Sequence, residues 1–313
     1  LLTWLVAGWL LEPRVLAPDR PGMWYEWQLM EPSLWSRGTA WGGYLLHQLS
    51  IWTLIWVAQR RRPAYTQGLH DFNRWALGAT ALFMMLHLLQ TWAFYDGLAQ
   101  DVPEWTAQWS VIVLLVVVLM MENQRRGLVL GRPLGFVTEA ARGLRKYHGY
   151  YFAWATIYTF WYHPMLATPG HLFGFVYMFL LLLQGSLFFT RAHTNRYWTT
   201  FLEFMVLVHG VMVAVANGDG WPMFLSGFAG IFVLSQMHGL GLSRGLRWII
   251  GLGYIGGVLL IYMLRDFVGV WLAPVIPLTE LLSVLVLSGL VLGLSRLLGQ
   301  RQLHLAANPA SLL

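Results

Sequence analysis

The sequence predicts an all-α polytopic membrane protein with about ten transmembrane helices. Of its 313 residues, 57% are apolar and only 11% are charged, whereas a soluble domain carries about 25% charged residues. The chain also contains repeated apolar runs of a length suited to crossing a bilayer, which needs about 20 residues per helix. Basic residues are concentrated in every second connection between these runs. Together these observations exclude a water-soluble globular protein.

The spans are predicted from the apolar runs, and the connections between them are too short to contain a soluble domain. The ten runs cover approximately residues 1–11, 38–59, 73–96, 108–122, 149–167, 170–190, 197–217, 221–242, 247–264 and 268–296.

Charge placement predicts the orientation of these spans. Counted together with the residues at the ends of the adjoining runs, one set of alternate connections carries 16 of the 20 Lys and Arg residues. The other set carries the remaining four together with nine of the 14 acidic residues. Cytoplasmic loops are enriched in Lys and Arg, so we expect both ends of the chain to lie in the cytoplasm. The predicted location is the cytoplasmic (inner) membrane of a bacterium, with the lipid bilayer as partner. The net charge of +6 then reflects topology and does not indicate a nucleic-acid partner.

Two similar segments indicate an internal repeat. Asn73, Arg74 and Trp75 are followed by His87, and Asn195, Arg196 and Tyr197 are followed by His209, with the histidine 14 residues after the asparagine in both copies. Four predicted spans separate the copies, so the two run in the same direction. This favours two parallel four-helix repeats plus two C-terminal helices, although short apolar helices also align by chance. The predicted organisation is a first repeat at 1–130, an amphipathic cytoplasmic linker at 131–148, a second repeat at 149–246, and two further helices with the tail at 247–313.

Ten histidines in so apolar a chain are the main indication of chemistry, because polar side chains inside a membrane usually face the bundle interior or a cavity. With a rise of about 1.5 Å per residue, the span positions place five of them in the outer half of the membrane. These are His47, His87, His163, His171 and His209. Four others, His70, His148, His193 and His238, lie at the predicted cytoplasmic boundary.

Two histidines at equal depth on adjacent helices suit axial ligation of haem iron. The pair His47 and His87 meets this condition, and the repeat-related pair would be His171 and His209, although His171 is shallower. Arg74 and Arg196 are candidates for binding haem propionates or lipid phosphates. The alternative is a structural role without a ligand, in which the histidines only form hydrogen bonds to neighbouring helices.

The sequence also allows a histidine-bound metal and a path for protons or ions. A transition metal bound by histidines at the outer face would use His47, His87, His163, His171 and His209. The absence of cysteine excludes an iron–sulfur cluster. Glu203 and Glu280 lie inside predicted spans and are candidates for a proton or ion path. Glu280 follows Pro274 and Pro277, which predicts a broken helix of the kind found in transporters.

The leading hypothesis is an integral membrane redox protein, and an oxidoreductase if it is an enzyme. It would bind b-type haem through paired histidines and exchange electrons with a quinone or a periplasmic partner, together with other membrane subunits. One alternative is a transporter or channel with a path lined by His and Glu. Another is a histidine–metal membrane enzyme acting on a lipid. The signatures of zinc proteases, serine hydrolases and P-loop proteins are missing, so the sequence names no catalytic residue.

Overall fold

A computed structural model describes residues 15–18, 28–95, 97–164, 169–216, 218 and 220–297. The predicted span at 1–11 and the tail after 297 lie outside these residues. Within these ranges the chain forms ten α-helices and three 3₁₀-helices, and only isolated bridges in place of strands. The α-helices are α1 Leu34–Arg61, α2 Asp71–Phe94, α3 Glu104–Arg126, α4 Gly135–Leu144, α5 His148–Tyr162, α6 Pro169–Ser186, α7 Arg196–Ala216, α8 Trp221–Leu234, α9 Arg244–Arg265 and α10 Val275–Leu297. The 3₁₀-helices are η1 Leu98–Gln100, η2 Gln236–Gly239 and η3 Phe267–Leu272.

Five of the described segments are long and apolar enough to cross a membrane. They are Asp71–Phe94, Glu104–Arg126, Arg196–Ala216, Arg244–Arg265 and Phe267–Leu297. The prediction of an all-helical chain is confirmed for the described residues, and the five segments are compatible with a multi-pass membrane protein. The count of ten spans, the duplication and the orientation stay predictions.

Several helix boundaries follow from capping residues that the sequence supplies. Ser33 precedes α1, and its Oγ accepts a hydrogen bond from the backbone N–H of Ser36 over 3.0 Å. Ser243 does the same for α9, with the N–H of Leu246 as donor. A serine oxygen at this position satisfies one of the N–H groups that an α-helix leaves unpaired at its start. Helix α1 ends at Arg61, and the next residue, Arg62, has the left-handed conformation that commonly terminates helices.

Two predicted spans differ from the observed helices. The run at 221–242 forms α8 only as far as Leu234 and continues in η2. The run at 268–296 is interrupted near Pro274, between η3 and α10. Pro277 lies in the first turn of α10, where a missing N–H costs no intrahelical hydrogen bond. Pro277 therefore does not break the helix that carries Glu280.

Within the linker predicted at 131–148, the structure has the short helix α4. In α4 the residues Val137, Ala140 and Ala141 are buried, and their spacing of three and four residues places them on one face. Basic residues follow at the end of the helix and beyond it. Its location on the cytoplasmic side stays a prediction.

The described residues form two compact units. Unit 1 contains those up to Leu114 together with Gly149–Trp221, and unit 2 contains Leu115–His148 and those from Pro222 onward. The division therefore falls inside α3, whereas the repeats predicted from the sequence end at 130 and 246. In unit 1, α1 contacts α2, and α6 contacts both α2 and α7. In unit 2, α10 contacts α4.

Candidate functional site

His47, in the middle of α1, is fully buried and hydrogen-bonded to an aromatic residue of α5. Its Nδ1 accepts a hydrogen bond from Nε1 of Trp161 over 3.3 Å. The imidazole also stacks on Phe83 of α2, with ring centroids 4.6 Å apart. A nitrogen that accepts a hydrogen bond holds a lone pair, so the proton of neutral His47 lies on Nε2. That Nε2 is buried and has no hydrogen-bond partner.

Gly43 makes room for this contact one turn before His47. A Cβ atom at Gly43 would lie 2.1 Å from Cη2 and 2.5 Å from Cζ3 of Trp161, far inside van der Waals contact. The indole is almost fully buried and has no free space into which to move. The glycine therefore permits the approach of α5 that brings Trp161 to His47.

His87, on α2, is fully buried and surrounded by aromatic rings. Its ring centroid lies 4.6 Å from that of Phe160, 4.7 Å from that of Trp161 and 5.7 Å from that of Phe175. Neither Nδ1 nor Nε2 has a hydrogen-bond partner. The backbone of His163 lies near the ring but makes no hydrogen bond of good geometry with it.

The other histidines predicted in the outer half of the membrane also lie in unit 1. His163 follows α5, and its Nδ1 donates a hydrogen bond to the carbonyl oxygen of Thr159 over 2.9 Å. His163 lies within electrostatic range of His87, His171 and His209, and the last two lie within range of each other. The structure thus brings together the five histidines in unit 1, which we call the histidine series: His47, His87, His163, His171 and His209.

His209, on α7, packs against α6. Its ring lies 6.4 Å from that of Phe173 and 6.1 Å from that of Tyr177, between centroids. A Cβ at Gly174 would lie 3.0 Å from Cε1 of His209, so this glycine admits the imidazole. The Nδ1 of His209 is buried without a hydrogen-bond partner.

The three histidines predicted at the inner boundary of the first seven spans have a different environment. His70 Nε2 lies 3.2 Å from the carbonyl oxygen of Ala64, and His193 Nδ1 lies 3.0 Å from that of Gln184. His148 Nδ1 bonds the carbonyl oxygen of Arg145. Each of these rings binds the backbone of a nearby turn or helix end, which gives it a structural role.

The two Asn-Arg-aromatic triplets have different contacts. Asn73 is fully buried, and its Nδ2 donates to the carbonyl oxygens of Ser186 and Phe188. Asn195 is exposed and caps α7, with its Oδ1 accepting from two backbone N–H groups. The arginines that follow these asparagines are both exposed. Arg74 pairs with Asp71 over 3.0 Å, and Arg196 donates to the hydroxyl of Tyr197.

The two carboxylates that the sequence places inside predicted spans lie in different units. Glu203, on α7 in unit 1, is buried within electrostatic range of Tyr177. Glu280, on α10 in unit 2, is also buried, and its Oε2 has no hydrogen-bond partner. It borders a cavity of about 10 Å³ that Ser235 and Pro277 also line. That volume is about the minimum for one water molecule.

Two buried glutamines next to the histidine series were not among the site residues predicted from the sequence. Gln48 follows His47 and has neither amide atom hydrogen-bonded, while Gln90 lies one turn after His87 with Oε1 unbonded. Both side chains are buried. A sequence signal that could have indicated the aromatic surroundings of His87 is the run Thr159–His163, in which three aromatic residues precede a histidine.

Metal binding requires several ligands within reach of one point. Among the described residues, no group of three or more His, Asp or Glu side chains is arranged to hold a metal ion. The five predicted histidine ligands therefore form a series and not a single cluster.

A haem between His47 and His87 does not fit these side chains as they are packed. A ligating histidine donates its second N–H to an acceptor, but His47 Nδ1 faces the N–H donor of Trp161. Trp161 also contacts the His87 ring, so its indole lies against both imidazoles.

Comparison with protein-family models, with curated proteins and with solved structures finds no match.

Proposed function

We propose that the protein is a membrane transporter or channel in which the histidine series of unit 1 relays protons. One observation carries this proposal. His87 is fully buried within electrostatic range of His47 and His163, and neither of its ring nitrogens is hydrogen-bonded. A relay needs an imidazole that accepts a proton on one nitrogen and releases one from the other. An imidazole with two unbonded nitrogens meets that requirement.

Packing alone gives a poor account of His87. A buried polar atom without a partner costs about 1–3 kcal/mol, and native proteins keep such atoms rarely. A leucine at this position would fill a similar volume without that cost. In contrast, His70 and His193 bond backbone carbonyls. These hydrogen bonds explain why histidine occupies positions 70 and 193. His87 makes no such hydrogen bond.

The two neighbours of His87 hold opposite tautomers. Trp161 fixes the proton of His47 on Nε2, which makes that nitrogen a donor. The Thr159 carbonyl fixes the proton of His163 on Nδ1, which keeps the lone pair on Nε2. In the relay, the lone pair of one His87 nitrogen binds a proton while the N–H bond at the other nitrogen breaks. The charge moves as a proton, so no electron donor or acceptor is needed.

Proton flux into liposomes tests this proposal. The purified full-length chain is reconstituted with an internal pH-sensitive dye, and a potassium gradient with valinomycin supplies the driving force. We expect flux above that of empty liposomes, and a loss of at least about tenfold in His87→Asn, because the variant lacks a side chain able to transfer the proton.

His193→Asn is the matched control, because asparagine Nδ2 keeps a donor for the Gln184 carbonyl. This variant removes an imidazole outside the series and should leave flux within about twofold of wild type. Equal flux in His87→Asn and wild type, or no flux above empty liposomes, would exclude the proton relay.

A redox function is the second candidate, at the pair His171 and His209. The two histidines lie on contacting helices within electrostatic range, and no hydrogen-bond donor faces Nδ1 of His209. Haem bound there would supply one-electron chemistry for exchange with a quinone or another membrane subunit. A reduced-minus-oxidised spectrum of purified protein without a Soret or α-band change removes this candidate.

The remaining candidate is a metal-dependent enzyme acting on a lipid, with a metal held by histidines of the series. Because no three His, Asp or Glu side chains among the described residues are arranged to hold a metal ion as packed, binding would need these side chains to rearrange. Elemental analysis of the purified protein tests it directly, and less than about 0.1 metal ion per chain argues against a resident metal with a structural-site affinity. In all three readings we propose the bacterial inner membrane as location and cytoplasmic chain ends. The asymmetric placement of basic residues supports both.

A further inference from the structure

A turn in unit 2 brings the end of α3 against the segment that follows α8. Gly127 and Gly131 both have positive φ, at 70° and 78°. The N–H of Leu130 donates to the carbonyl oxygen of Leu234 over 2.7 Å. The Oγ of Ser235 donates to the carbonyl oxygen of Gly127 over 2.7 Å. These two bonds hold η2, with His238, against the turn.

Two glycines allow an imidazole and a guanidinium to pack closely against the backbone here. A Cβ at Gly131 would lie 2.9 Å from Nδ1 of His238, and a Cβ at Gly239 would lie 3.1 Å from Nη1 of Arg125. The absence of side chains at both positions leaves the imidazole and the guanidinium beside the backbone. His238 on η2 therefore packs against Gly131 of the turn, and Arg125 at the end of α3 packs against Gly239 of η2.

Arg247, on α9, is the third side chain of this group, together with His238 and Arg125. Its Nη1 donates to Nδ1 of His238 over 3.2 Å, so the proton of neutral His238 lies on Nε2. His238 Nε2 and Arg247 Nε are both buried N–H donors without a hydrogen-bond partner. The carbonyl of Val233 lies near the imidazole without a hydrogen bond of good geometry. Two unused donors in one bonded pair indicate a missing acceptor.

The charge around these two donors is positive. Arg125 pairs with Glu122, whereas Arg247 has no ion pair with any carboxylate in the part of the chain that the structure describes. Arg126 is a further buried cation next to Gly239. An acceptor placed here therefore meets a positive potential as well as two free N–H groups.

We propose that Arg247, His238 and Arg125 form a binding site for a phosphate group. A guanidinium donates to phosphate oxygens in a fixed fork geometry, and the Nε2–H of His238 adds a third direction. The phosphate belongs either to an anionic phospholipid headgroup or to a free phosphate. The site lies entirely in unit 2 and does not depend on the histidine series of unit 1.

Thermal unfolding of the detergent-purified full-length chain tests the site with two probes. One is short-chain phosphatidylglycerol and the other is inorganic phosphate, each against sodium chloride at equal ionic strength. We expect a saturable rise in the unfolding midpoint with at least one probe. A response to the lipid alone identifies a headgroup site, and a response to phosphate alone identifies a free-anion site.

Arg247→Gln should raise the probe concentration at half-saturation by at least about tenfold, the effect of one lost charge-assisted hydrogen bond. Arg265→Gln removes the same charge from the other end of α9 and should leave it unchanged. If Arg247→Gln does not fold, Arg125→Gln decides, because Arg125 is on the surface, and we expect a several-fold weaker response. Equal responses in wild type and these site variants, or an equal response to sodium chloride, would overturn the proposal.

Discussion

Replacement of Gly43 by alanine tests the packing that organises the histidine series. The new Cβ would lie 2.1 Å from Cη2 of Trp161, so the indole or one of the two helices must shift. Overpacking of this kind costs about 1–3 kcal/mol. Loss of the hydrogen bond from Trp161 to His47 adds about 0.5–1.5 kcal/mol. The higher helix propensity of alanine returns about 0.5–1 kcal/mol, which leaves a net destabilisation of about 2 kcal/mol.

Gly42→Ala is the matched control, because a Cβ at Gly42 meets nothing within 4 Å. This variant gains only the helix propensity of alanine, about 0.5–1 kcal/mol. The two neighbouring substitutions should therefore differ by about 3 kcal/mol in the free energy of unfolding. At about 2–4 °C per kcal/mol for a chain of this size, their unfolding midpoints should differ by roughly 6–12 °C.

The assay is thermal unfolding in detergent, followed by the loss of the monodisperse peak in size-exclusion chromatography. Trp161→Phe removes the indole carbons that the new Cβ would contact. In that background, Gly43→Ala should cost less than about 1 kcal/mol, since the clash is gone. If Gly43→Ala is as stable as Gly42→Ala in the wild-type background, the packing of Trp161 between α1 and α2 is wrong.

Two further predictions concern the repeat and the orientation. Asn73→Ala should cost about 2–4 kcal/mol in thermal unfolding, because it unbonds the buried carbonyl of Ser186 and the partly buried carbonyl of Phe188. Asn195→Ala should cost only about 1 kcal/mol, as for a lost helix cap, and equal costs would contradict the different contacts of the two asparagines. The chain has no cysteine, so single cysteines at Gly68 and Gly170, where a Cβ meets nothing within 4 Å, report the sidedness of their connections. An impermeant thiol reagent added outside intact cells should label the cysteine at 170 and not the one at 68, and the reverse labelling would refute the proposed orientation.

The sequence by itself determined the helical character of the chain and the approximate position of most helices. Apolar runs and their polar boundaries depend on local composition, which is why the predicted run at 197–217 matches Arg196–Ala216. The short linker helix followed from the same kind of local pattern. The sequence also indicated the five histidines of the series, because polar residues inside apolar runs are visible without any knowledge of packing.

Only the tertiary structure separated the histidines by environment. His47 and Trp161 are 114 residues apart in the chain, and their contact depends on how α1 and α5 face each other. The same applies to Gly43, which reads as an ordinary helix glycine until the indole is placed against it. His87 and His193 both lie in or beside apolar runs of the sequence, yet the ring nitrogens of His87 have no hydrogen bond and His193 binds a backbone carbonyl. Rotation of each helix about its axis and the approach of neighbouring helices decide such contacts, and local patterns determine neither.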